Sequence, residues 1–241
     1  MTFFTDCKNG GLGNGAYVEV GRCLSDNNYM FGSGVVGENA GSDNLIVGVG
    51  AIAGGSKNAI LGGNLTFVKG NHNTVGAMSS TVYGNQNIVI GARHKLLNPN
   101  STELTPSTGN AVFGWDNEVS ESDFNSVSGA YNTVRNHMGC LISGIKHTAN
   151  ANYQTLLGKY SNPNTDTLLA IGNGTSETDR KNAFEVLTDG RAKVYGKPIE
   201  SNDVVRLDDI SKLLNLVNGL TSEQINALNT FAKNLTTSNN V

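Results

Sequence analysis

The densest group of acidic side chains in the 241-residue chain is Asp116, Glu118, Glu121 and Asp123. A pair of carboxylates can hydrolyse a glycosidic bond, one as acid and the other as base or nucleophile. A cluster of them can also hold calcium, but the D-x-D-x-D-G pattern of a calcium loop is missing. Directly after Trp115, the only tryptophan, the cluster reads as a solvated acidic edge. The four histidines, His72, His94, His137 and His147, show no metal-ligand spacing such as H-E-x-x-H. His137 and His147 read as exposed side chains. No G-x-S-x-G nucleophile turn is present. The stretch Gly10-Gly11-Leu12-Gly13-Asn14-Gly15 lacks the strand and helix that flank a phosphate-binding loop. No catalytic residue, metal or cofactor is expected, and the chain reads as a non-enzyme.

Composition bounds the remaining choices. Glycine (30) and asparagine (33) exceed a quarter of the residues, while only 15% are charged and 38% apolar. Both residues suit tight turns and disfavour helix interiors. Most of the chain is therefore expected to be all-β. The net charge of −3 offers no basic field for nucleic acid. No run of about 18 apolar residues suggests membrane insertion, and the N-terminus lacks the pattern of a signal peptide. Three scattered cysteines, Cys7, Cys23 and Cys140, read as small buried residues rather than a disulfide framework.

The elements that would carry any function come from a repeat. Asn, any residue, aliphatic, any residue, Gly recurs from Asn44 to Gly48, Asn58 to Gly62, Asn87 to Gly91, Asn110 to Gly114 and Asn125 to Gly129. Asn73 to Ala77 keeps the pattern with Ala in the last place, and closing positions continue through Gly144, Gly158 and Gly172, spaced 14 or 15 apart except for one step of 23. Half-period echoes fall at Gly55, Gly70, Gly84 and Asn136. Each half-unit has one inward aliphatic between polar neighbours, which is strand alternation followed by a turn. This predicts a parallel β-solenoid over residues 34–172, entered by an N-terminal segment 1–33. Glycine closes each strand where the turn needs positive φ or close backbone approach, and stacked asparagines form ladders.

So few aliphatics per turn give a thin interior, too small to offset the entropy of ordering the chain. The missing burial is therefore expected from sister chains in a homotrimer. Ile46, Ile60, Val75, Val89, Val112 and Val127 are assigned to its shared core. The long step between Gly91 and Gly114 places an insertion at 92–109. Recognition tends to sit on loops held by a rigid scaffold. His94, Lys95, Asn98, Asn100 and Trp115 are the candidate receptor-binding residues, with a host surface glycan or protein as the partner.

After Gly172 the pattern changes. Residues 173–200 read as a linker and a short β-hairpin turning at Asp189-Gly190. Residues 201–241 read as a C-terminal helical, coiled-coil-like trimerisation segment. Ile210, Leu213, Val217 and Leu220 fall 3, 4 and 3 apart, as do Ile225, Leu228, Ala232 and Leu235. Ile210, Leu213, Val217, Ile225 and Leu228 are assigned to the trimer core here. Thr221 and Gln224 form a capping box opening the second helix.

The Asn-x-aliphatic-x-Gly repeat over residues 34–172 resembles the head repeats of trimeric autotransporter (YadA-like) adhesins. That resemblance implies a trimeric left-handed parallel β-roll. The ordered pieces FEV, DGRA, KVYGKP and NDVVRLDD over residues 182–210 resemble a segment of phage fibre proteins that joins a repetitive shaft to a terminal coiled coil. This implies a structural and adhesive virion fibre, of tail or head, made in the host cytoplasm and attached to capsid or tail proteins. A bacterial trimeric surface adhesin module and a capsule-degrading tailspike are the alternative readings.

Overall fold

The computed structural model describes residues 29–31, 36–40, 43–96, 106–200 and 203–238. Cys7, Cys23, the Gly10–Gly15 stretch, Asn98 and Asn100 lie outside them. Two compact units meet between Lys193 and Val194.

The first unit is a parallel β-solenoid of about eight turns. Each coil contributes one strand of about five residues to a long sheet, and the coils as far as Arg135 contribute one of two to five residues to a shorter sheet facing it. Among the described residues the long sheet has twelve strands and the short one seven. Successive coils pair in register: Val75 lies beside Val89, Val89 beside Val112, and Val112 beside Val127. On the facing sheet Val68, Val82 and Leu96 stack in the same way, as do Val119 and Val134.

Strand alternation then decides what is buried. The inward row of the long sheet, Ile46 to Leu156, and that of the short sheet, Ala53 to Val134, are 0% exposed. A single chain thus closes the interior by facing one row of aliphatics with another. This corrects the assignment of Ile46, Ile60, Val75, Val89, Val112 and Val127 to a core shared between chains. Each fully buried Val or Ile contributes about 1.5–3 kcal/mol, and polar ladders add to the rows.

Those ladders occupy the two edges where the sheets join. On the first, Asn58 Nδ2 donates to Asn44 Oδ1 at 3.0 Å and to the Gly70 carbonyl at 2.8 Å. Asn58 Oδ1 in turn accepts from the Asn73 backbone N–H and from Asn73 Nδ2, both at 3.0 Å. All four hydrogen-bonding positions of the amide are filled in a dry interior. The pattern repeats through Asn87, Asn110 and Asn125. Cys140 takes the next rung as a buried thiol, in agreement with the sequence reading. On the second edge the buried column runs Thr66, Ser80, His94, Asn117, Asn132, His147, Ser161.

Glycine is required where coils stack. A Cβ on Gly129 (φ 107°) would stand 1.9 Å from the Gly144 carbonyl oxygen. Gly91, Gly114, Gly144 and Gly158 meet the same obstruction from the coil above, as Gly55, Gly70 and Gly84 do in the other column.

The expected hairpin forms at residues 182–194 around Gly190 (φ 86°), with Leu187 N–H donating to the Arg191 carbonyl at 2.9 Å. It is not a separate element after a linker. Its first arm, Asn182–Leu187, pairs antiparallel with Thr167–Asn173 and ends the parallel stacking. Glu185 is buried there, bound by the Thr167 hydroxyl, with Lys193 Nζ at 3.5 Å.

The second unit contains helices α1 (Leu207–Asn218) and α2 (Ser222–Ser238). The Thr221–Gln224 capping box is present: Gln224 N–H donates to Thr221 Oγ1 at 3.3 Å, and Thr221 N–H to Gln224 Oε1 at 2.9 Å. A second box, not anticipated, opens α1, where Arg206 N–H and its guanidinium both donate to the Asp209 carboxylate. No residue of α1 is buried. Ile210, Leu213, Val217, Ile225 and Leu228 are 40% to 60% exposed in the single chain.

Candidate functional site

The proposed receptor residues are only partly brought together. His94 is fully buried, which removes it as a surface contact. It fills a rung of the second polar column. Its Nε2 lies 3.1 Å from the Ile90 carbonyl, and its Nδ1 accepts the Asn117 backbone N–H at 3.3 Å. A carbonyl can only accept and an amide N–H only donate, so the ring is the neutral Nε2–H tautomer. Burial holds its pKa below the ordinary value, outweighing the nearby Ile90 and Gly114 carbonyls and Asp116.

His147 is the same rung three coils later and is likewise buried, which corrects its reading as exposed. Its Nδ1 lies 2.6 Å from Ser161 Oγ, while its Nε2 has no partner. Burial again lowers the pKa, and the Arg180 guanidinium lowers it further. The phase could have found both residues: His94 follows Ser80 by 14, and His147 follows Asn132 by 15.

Lys95 points outward from the short sheet, and Trp115 is 43% exposed at the end of a long strand. They flank one edge on adjacent coils. Between them Arg93 places its guanidinium 5.9 Å from the Trp115 ring centre and pairs with Asp116 at 3.3 Å. Lys146 lies 4.8 Å from the Tyr131 ring on the same edge.

The acidic cluster is dispersed by the coil. Asp116 is on the edge of the His94 column beside Arg93, and Glu118 is on the short sheet beside Arg135 at 2.7 Å. Asp123 is on the opposite edge, accepting the Thr108 N–H at 2.7 Å. Among the described residues no group of three or more His, Cys, Asp or Glu could hold a metal ion. No helix among them is long and apolar enough to cross a membrane.

The least expected surface is the outward face of the long sheet. Two of its outward columns run Leu45, Ala59, Thr74, Ile88, Ala111, Ser126, Leu141, Thr155, Leu169 and Val47, Leu61, Gly76, Ile90, Phe113, Ser128, Ser143, Leu157, Ile171, and a third, at the strand ends, includes Trp115, Ile145 and Lys159. No position of the first two columns is charged. Leu61, Ile88, Ile90 and Leu141 are 45% to 50% exposed. The short sheet instead turns Lys69, Lys95, Glu118 and Arg135 to water. At the usual strand spacing the two uncharged columns extend about 40 Å by 10 Å, with apolar side chains interrupted by Thr74, Ser126, Ser128, Ser143 and Thr155.

Comparison with known proteins finds no matching family, no matching curated protein and no matching solved structure.

Proposed function

We propose that the protein is a structural and adhesive fibre module that works as a homotrimer on a phage virion, held to capsid or tail proteins and contacting the host surface. The two uncharged outward columns of the long sheet are the observation that supports this reading most directly. Parallel sheets are ordinarily covered on both faces, and the described residues of the solenoid cover only one. A second copy offers the same apolar columns at the same coil spacing, so contacts repeat along the whole length. The narrow apolar seams of α1 and α2 lead to the same partner, because helices of this length are marginal alone. The left-handed winding and threefold symmetry implied by the adhesin resemblance complete the proposal. In it, Ile210, Leu213, Val217, Ile225 and Leu228 keep their place in a shared core. The long sheet contributes its outer columns in place of its inner one.

Rigidity in this reading comes from stacked coils, and attachment comes from several weak contacts engaged together. Light scattering on the full chain tests it. The expected mass is three times the 25.3 kDa chain. Ile90→Lys with Phe113→Lys is expected to give a folded lower-mass species, because the charges sit outside the closed interior. A wild-type protein of 25.3 kDa at micromolar concentration overturns the assembly. Neighbouring capsid or tail genes support the virion assignment, and a dedicated membrane-anchor gene beside it favours the bacterial adhesin.

A further inference from the structure

The edge that follows the short sheet carries two aromatic rings that packing does not explain. Phe124 is 67% exposed and Tyr153 63%. They occupy one column of corner positions, Lys57, His72, Gln86, Gly109, Phe124, Gly139, Tyr153, linked coil to coil by backbone hydrogen bonds. Both have left-handed backbones, φ 57° and 61°. That is the regular backbone of this corner, shared by Lys57, His72 and Gln86 and by Gly109 and Gly139.

The rings alternate with glycine. The Phe124 ring lies across Gly109, and the Tyr153 ring lies across Gly139, so closely that a Cβ there would stand 2.8 Å and 2.4 Å from them. Tyr153 Oη also donates to Met138 Sδ at 3.4 Å. Each ring is thus held down on one side and exposed elsewhere.

Polar groups precede both rings. Asp123 Oδ1 accepts the Thr108 N–H at 2.7 Å, and Asn152 Oδ1 accepts the Met138 N–H at 3.0 Å. The second atoms of the same side chains, Asp123 Oδ2 and Asn152 Nδ2, are an acceptor and a donor suited to a sugar's hydroxyl or amide groups. Two coils before Phe124, the same edge has a cleft of about 240 Å³ lined by Lys69, Tyr83, Asn85 and Pro106.

We propose that this edge binds an extended β-1,4-linked pyranose chain lying parallel to the solenoid axis, with sugars stacked on Phe124 and Tyr153. Two coils separate the rings, about 10 Å at the usual strand spacing. That is the disaccharide repeat of such a chain, in which every second sugar turns the same C–H face to one side. The cleft at Tyr83 and Asn85 is one more step in the series. A protein partner would need a broad buried patch around its aromatic anchors, whereas these rings are flanked by glycines, by Asp123 and Asn152 and, at Tyr153, by the single side chain of Met138. The proposal deepens the adhesive part of the function above and rests on it. Its failure is separable, since a trimer that binds no glycan loses only this inference.

The test titrates the full chain with chitohexaose, cellohexaose and maltohexaose, using calorimetry and saturation-transfer NMR. At least one of the two β-1,4-linked hexasaccharides is expected to bind, to bind more tightly than its own disaccharide, and to bind more tightly than α-linked maltohexaose. Phe124→Leu and Tyr153→Leu keep an apolar cover over the glycines and remove the aromatic face. Each is expected to weaken binding about tenfold, the size of one stacking contact, with the urea midpoint unchanged. Undetectable binding of both β-1,4 hexasaccharides overturns the proposal. So does binding that the leucine variants retain, or a disaccharide that binds as tightly as the hexasaccharide. Altered midpoints without altered affinity assign the rings to glycine cover alone and also overturn it.

Discussion

Asn110 Nδ2 donates to Asn87 Oδ1 at 3.1 Å across 23 residues of chain. That bond matches Asn87 to Asn73, 3.0 Å across 14 residues. The polar spine therefore runs past the long step between Gly91 and Gly114 without a change in geometry. The coil is in register at Leu96, which pairs with Val82, and again at Ser107, whose N–H bonds the Tyr83 carbonyl.

Deleting residues 97–105 is therefore expected to leave the solenoid intact. Leu96-Pro106-Ser107 would then reproduce the spacing of Val82-Tyr83-Gly84. Circular dichroism and the oligomeric mass should match the parent. A collapsed or aggregated product would show that the insertion supports the coil.

Gly129→Ala and Gly190→Ala separate stacking from turn strain. Both glycines have positive φ, but a Cβ at Gly190 meets nothing within 4 Å, and one at Gly129 meets the Gly144 carbonyl. Gly190→Ala should cost about 1–2 kcal/mol from backbone strain. Gly129→Ala should cost more than about 3 kcal/mol, because two backbones must separate. Urea midpoints at fixed protein concentration decide; equal losses would contradict the stacking account.

His94 and His147 make the solenoid sensitive to acid. Both folded pKa values lie below the ordinary histidine value. In the unfolded chain both take up protons near pH 6.5, so below that pH the unfolded state binds more protons. Their contribution is complete above about pH 6.5 and declines as pH falls toward the folded values. Protonating His94 Nδ1 also removes the acceptor of the Asn117 N–H. The double variant His94→Asn, His147→Asn restores the residue used at Asn117 and Asn132. Its unfolding midpoint should fall less between pH 7 and pH 5 than that of the parent; parallel curves would contradict the assignment.

Cys140→Asn should stabilise the solenoid. Cys140 N–H donates to Asn125 Oδ1 at 2.8 Å, but its side chain offers only a thiol, 3.4 Å from the Ala151 carbonyl. An asparagine would supply two N–H donors, one to Asn125 Oδ1 and one to Ala151. About 1 kcal/mol is expected from a net gained hydrogen bond, read as a higher urea midpoint. A lower midpoint would mean that the corner lacks room for the amide.

The inward rows and the asparagine ladder were legible from period and phase, because every rung repeats one residue type. Helix α2 was legible from Thr221 and Gln224. The placement of the Val89 row between chains failed for a physical reason. Alternation shows that one face of a strand is covered, but not what covers it. Facing rows within one chain suffice here, and Ile88 and Ile90 on either side of Val89 are left exposed. His94 and His147 were misread because their polarity suggested the surface, whereas the column they occupy has a polar partner at each level. Phe124 and Tyr153 break the aliphatic pattern and carry no motif. Only the coil-to-coil register reveals that they share an edge.

The glycine columns turn the chain into a ruler with fixed graduations. Where no methyl group fits between neighbouring backbones, slippage by one or two residues is forbidden. Length can then change only by adding or removing a complete coil of 14 or 15 residues, about 4.8 Å at a time. Any partial addition has to leave the register of the coils on both sides unchanged, as Leu96 and Ser107 keep theirs. A lineage building on this scaffold would vary its reach in whole steps and its decoration freely, while the pitch stays constant.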